Sequence, residues 1–129
     1  MVFPTAVVKL NPKLSSTIFI TIDGKQRQRA MESVEEFQVI LSEEIEKYGG
    51  IILNYDMSTL GQVPGRGHFS LAVAIAKPII CDKKQDFLLL LDPWPETPIA
   101  WVPIETMFLA MNTIDKESGE KRGCLIRKK

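Results

Sequence analysis

"GHFSLAVAIAKPIICDKKQDFLLLLD", residues 67–92, is the stretch on which the fold depends. "HFSLAVAIA" and "DFLLLL" are two strand-forming runs, and "KPIICDKKQ" between them has the proline and charges of a connection. If they pair as an antiparallel hairpin centred near residue 80 or 81, facing residues carry numbers that sum to about 160–162. Asp92 then falls opposite residues 68–70, beside His68, the single histidine of the chain. Strict alternation sets His68, Ser70, Ala72, Ala74 and Ala76 on one face, and Phe69, Leu71, Val73 and Ile75 on the other. Small side chains thus leave space next to the imidazole. "DFLLLLD" is apolar at every inner position, which predicts a central strand buried on both sides.

Working outward from this hairpin, residues 2–10 and 16–22 read as strands, and "STIFITID" stops at the turn signal Asp23-Gly24. Val34, Phe37, Leu41, Ile45 and Tyr48 recur at helical spacing over 33–48. Ser33 with Glu36 makes a capping box at its start, and Gly49-Gly50 a left-handed stop at its end. "IILNY" is a strand, "MSTLGQVPGRG" a loop that delivers the chain to His68, and "PWPETP" a rigid loop. Pro103 opens a second helix over roughly 103–113, with Ile104, Met107, Phe108 and Met111 as its buried stripe. "DKESGEKRG" is a solvated turn and "CLIR" a closing strand. The expected architecture is a single α+β domain over 1–129, an antiparallel β-sheet flanked by two helices.

Composition narrows the function classes. With 129 residues, 45% hydrophobic, 25% charged, and 16 basic against 16 acidic residues, this is ordinary globular material with no broad field to attract nucleic acid or an anionic membrane. No run approaches the length of a membrane span, and the opening lacks a signal-peptide pattern. The expected location is cytoplasmic. Cys81 and Cys124 are too few for a disulfide framework and have no metal-ligand spacing; with one histidine beside them, neither a metal site nor a cofactor is expected.

An aspartate that holds one nitrogen of a histidine fixes its tautomer and stabilises the imidazolium, the orienting role in Ser-His-Asp and Cys-His-Asn systems. The plainer alternative is a structural His–carboxylate pair at a strand end. Several stretches in order, "SVEEF", "GRGHFS", "LLLLD", "WVPIETMFLAMNTID" and "SGEKRGCLI", favour chemistry. Together they resemble the second half of the catalytic domain of phytochelatin synthase, a papain-like family acting on glutathione. The resemblance spans roughly residues 33–127. It implies the sheet-bearing half of a papain-like cysteine protease fold, with His68 as general base and Asp92 as orienting acid. Gly67 and Ser70, which flank the histidine in the motif, are the candidate substrate-binding residues. The family reaction it implies is attack by a cysteine on glutathione, release of glycine, and transfer of γ-glutamylcysteine to a second glutathione or to water.

The nucleophile is the departure. The family's cysteine stands on the order of a hundred residues before the histidine, and none of the 67 residues before His68 is Cys. Cys81 sits at the far tip of the hairpin, roughly 30 Å away at ~3.3 Å per residue; Cys124 reads as a buried small residue of the closing strand; Ser70 lies along the same strand as the base. The hairpin tip is longer than the family pattern, and "PWPETPIAWVP" lacks the Arg and Tyr the family carries after its aspartate. The expectation is a form lacking the N-terminal Cys-bearing lobe and inactive alone. Its partners would be glutathione or a related thiol peptide, with a complementary Cys-bearing chain or a homodimer. A non-catalytic peptide- or protein-binding module on the same scaffold is the alternative, and a hydrolase with another nucleophile a third reading.

Overall fold

A computed structural model describes residues 15–62, 67–80, 83–93 and 99–128. The expected strand at 2–10, Cys81 and most of "PWPETP" lie outside the described residues. The elements run β1 (Ser16–Ile22), β2 (Lys25–Met31), α1 (Val34–Tyr48), β3 (Ile51–Asp56), a 3-10 turn (Met57–Leu60), β4 (Gly67–Ala76), two short strands β5 (Ile79–Ile80) and β6 (Lys83–Lys84), β7 (Phe87–Leu91), β8 (Ile99–Pro103), α2 (Ile104–Met111) and β9 (Gly123–Lys128). Seven strands form one sheet in the order β2-β1-β9-β3-β4-β7-β8.

That sheet is mixed, so the expectation of an antiparallel sheet is corrected while α+β stands. β9 inserts between β1 and β3; it runs antiparallel to β3 and therefore parallel to β1. Residue alternation cannot distinguish the two directions, because side chains alternate in both. The parallel pair is unusually close: a Cβ on Gly123 would lie 1.7 Å from the carbonyl oxygen of Thr17, its register partner.

α1 forms where its ends are capped. The Glu36 N–H donates to Ser33 Oγ at 3.1 Å, and Gly49, in the left-handed region at φ 81°, donates its N–H to Ile45 O. Arg29 reaches from β2 to Glu36 in the first turn at 2.7 Å. Both helices pack on one side of the sheet rather than flanking it. Phe37 of α1 meets Phe108 of α2 with ring centroids 5.9 Å apart. They cover Leu53, Tyr55, Ala72, Leu88 and Leu90 in one core. Tyr48, expected on the buried stripe, is exposed in the last turn.

Two features of the central hairpin differ from simple alternation. A bulge between Ala72 and Ala74 moves the register, so that Ile75 packs toward the core opposite Leu88 while Ala74 faces Leu89 on the outer side. β7 is buried on one side only; Leu91 on its other side is exposed. β8, which the prolines of "PWPETPIAWVP" concealed, is the edge strand beyond it.

Candidate functional site

β4 begins one residue before His68, and β7 ends one residue before Asp92. The last pair of their ladder is Leu71 with Leu91, so the side chains of His68 and Asp92 meet just past the paired segment. His68 Nε2 and Asp92 Oδ1 are 2.6 Å apart, with side chains 12% and 1% exposed respectively. A carboxylate accepts, so Nε2 carries the proton in the neutral ring and Nδ1 carries the lone pair. The register's expectation that His68 and Asp92 are neighbours is met.

Tyr55 of β3, fully buried, supports the ring from below. It pairs with His68 in the ladder and meets the imidazole edge-on at 5.9 Å between centroids. Its hydroxyl is 2.8 Å from Ser70 Oγ, itself buried. Burial pushes the Tyr55 phenol above its ordinary pKa; the Ser70 bond opposes this and the charge of Asp92 adds to it. Ser70 is therefore engaged with a tyrosine that the sequence reading did not select; its only signal was register, the pairing of "IILNY" with "GHFSL".

On the other side of the same strand end, a cavity of about 530 Å³ opens between the sheet and the 114–122 turn. Asn54, Asp56, Gly67 and Phe69 form one wall, and Asp115, Lys116 and Arg122 belong to the other. Arg122 is pinned: Nη1 donates to Thr113 Oγ1 at 3.0 Å and to Ile114 O at 3.1 Å. Its remaining edge lies against Gly67, where an added Cβ would stand 2.8 Å from Nη2. Gly67 thus has a steric role, leaving the guanidinium room beside the histidine strand. Asp115 is oriented in turn by the Glu117 N–H, which donates to Oδ1 at 3.0 Å. Burial raises the Asp56 pKa, but hydrogen bonds from Ser58 and Thr59 with the Arg122 charge outweigh it and leave the carboxyl below the usual range. A fixed guanidinium and an oriented carboxylate in one cleft suit a zwitterion, its carboxylate on Arg122 and its ammonium on Asp115. The stretch read as a solvated turn supplies both groups.

Cys124 stands apart from this. It faces Leu53, which faces Ser70, so two strand spacings, ~10 Å, separate it from the histidine strand. It is buried, and burial raises its thiol pKa to about 12. Among the described residues no three His, Cys, Asp or Glu side chains gather to hold a metal ion, and no helix is long and apolar enough to cross a membrane.

No curated protein matches the chain. A family model does, that of phytochelatin synthase, over residues 12–124. The matched span contains His68, Asp92, Tyr55, Asp115 and Arg122, both helices and every strand up to the start of β9. With the greater part of its length covered, the chain belongs to the phytochelatin synthase family.

Proposed function

We propose that this chain supplies the base-bearing and substrate-holding part of an acyl-transfer site for γ-glutamyl thiol peptides, glutathione being the member the family implies. One observation carries the reading: the part-buried His68–Asp92 pair stands at the start of β4, and on the opposite side of the same strand end the preceding residue, Gly67, lines a cleft that combines Arg122 with Asp115. A γ-glutamyl group presents a free α-carboxylate and α-ammonium, the two charges this cleft matches. His68 Nδ1 takes the proton of an attacking thiol as its sulfur adds to the carbonyl of the Cys–Gly bond. The imidazolium then gives that proton to the departing amine of glycine, leaving a thioester that a second glutathione amine or water resolves. Asp92 holds the ring and stabilises its cationic form.

The thiol is supplied from outside the described residues. Cys124 is buried, protonated and two strands from the imidazole. A reducing compartment, the cytoplasm, suits both a free cysteine and a thiol substrate.

Calorimetric titration of the 129-residue chain with glutathione tests the reading. Binding that weakens at least ~10-fold in both Arg122→Met and Asp115→Asn is expected, without glycine release by the chain alone. Equal binding by both variants would remove the substrate assignment. Glycine release that His68→Ala abolishes would overturn the external thiol. The exposed apolar side chains on the outer side of the sheet favour a second reading, a non-catalytic protein-binding module. A chain stabilised by a protein partner and indifferent to glutathione in a thermal-shift titration would select it.

A further inference from the structure

The side of the sheet turned away from both helices carries Ile52, Phe69, Leu71, Leu91, Ile99 and Trp101, each between 38 and 62% exposed. The register makes them neighbours: Ile52 faces Leu71, Leu71 faces Leu91, and Leu91 faces Ile99, while Trp101 faces Leu89. On this side of β3, β4, β7 and β8 no charged side chain interrupts the patch before Asp56 at the strand end. Scattered exposed leucines need no explanation, but a continuous uncharged sheet face does.

We propose that this face is covered by the same face of a second copy of the chain, in a two-fold, sheet-on-sheet dimer. Area is the first argument. Six side chains at these exposures present roughly 500 Å² of apolar surface, and a homodimer interface burying ~800 Å² per partner at ~65% apolar requires about the same. Charge is the second. The six side chains of the patch carry no charge, and a chain with 16 basic and 16 acidic residues has no net charge to resist self-association. The sheet edges are the third. β2 carries Lys25, Arg27 and Arg29, as an edge in water does, whereas β8, the edge bordering the patch, is "IAWVP" with no charge. Phe69 belongs both to the face and to the cleft, so the second copy also stands at the rim of the ligand cavity.

Sedimentation velocity on the 129-residue chain from about 1 to 100 µM tests this by mass action. A dimer is expected. Trp101→Lys and, independently, Leu71→Lys are expected to weaken it at least ~30-fold with unchanged circular dichroism, while Arg27→Gln on β2 leaves it intact. If either lysine variant misfolds, Ile99→Lys at the exposed edge replaces it. A wild-type chain that stays monomeric throughout overturns the proposal, as does a dimer that survives every folded lysine variant. A monomer that associates only with a separate thiol-bearing polypeptide, losing that association in Trp101→Lys, assigns the face to that polypeptide and equally overturns it.

Discussion

His68 and Asp92 meet on a diagonal: continuing the ladder one step past Leu71–Leu91 would set Asp92 against Ser70, yet its Oδ1 lies 2.6 Å from His68 Nε2. Ser70 leaves the aspartate to the histidine because its own hydroxyl is bonded to Tyr55, 2.8 Å away. The buried polar groups at this strand end thus sort into two pairs, and each pair constrains the other.

Because the chain has a single histidine, its ring nitrogens can be followed without assignment ambiguity. Nitrogen NMR of the neutral ring should report the proton on Nε2, and Asp92→Asn should shift the ring toward a mixture of tautomers, since an amide can donate as well as accept. In a reconstituted site Asp92→Asn should lower turnover by about 10²–10⁴-fold. A neutral ring with its proton on Nδ1 in the wild type would contradict the assigned roles.

The losses on removing each member of the Tyr55–Ser70 pair should sum to more than the loss on removing both. Tyr55→Phe or Ser70→Ala alone strands a buried hydroxyl, at a cost of about 1–3 kcal/mol. The double variant strands none, so urea denaturation should give it a loss smaller than the sum of the single losses. Strict additivity would mean that the two hydroxyls do not share a bond.

Much of the site was legible because a strand pair converts sequence separation into proximity by simple counting. The Gly-rich loop, "HFSLAVAIA" and "DFLLLLD" are each recognisable locally, and their register brings His68 to Asp92. The direction of β9 was not legible, since "CLIR" carries the same alternation beside either neighbour. The bulge at Val73 was hidden as well: small and β-branched residues on both sides of it tolerate either face. Arg122 was read as solvated because its anchors, Thr113, Ile114 O and the bare backbone of Gly67, are gathered only when the turn folds over the sheet. Charge pairs at long range leave no periodic trace in a sequence.

Gly123 is expected to be the least replaceable glycine in the sheet. A Cβ there would sit 1.7 Å from Thr17 O, a backbone atom that cannot rotate away, so β1 and β9 would have to separate. Gly123→Ala should cost at least about 3 kcal/mol, at or above the upper end of ordinary overpacking. By contrast, Gly67→Ala meets a side-chain end and should displace Arg122, weakening glutathione binding more than stability. Denaturation midpoints and titrations of the two variants distinguish these outcomes; equal stability of Gly123→Ala and wild type would exclude the close parallel pairing.

Cys124 makes stability fall with rising pH. Burial holds its thiol protonated to about 12 in the folded chain, whereas an unfolded cysteine ionises near ~8.5. Below the unfolded value both states keep the proton and the group's contribution is fully present. Above it the unfolded state alone loses its proton and is favoured, so the contribution drains away as pH climbs toward the folded value. Urea midpoints should therefore drop between pH 8 and pH 10, and Cys124→Ala should remove part of that drop. The same burial makes the thiol inert: mass mapping after alkylation of the native chain at pH 8 should leave the Cys124 peptide unmodified until denaturant is added. Rapid native labelling at Cys124 would place a reactive sulfur in the core and reopen the question of which thiol serves His68.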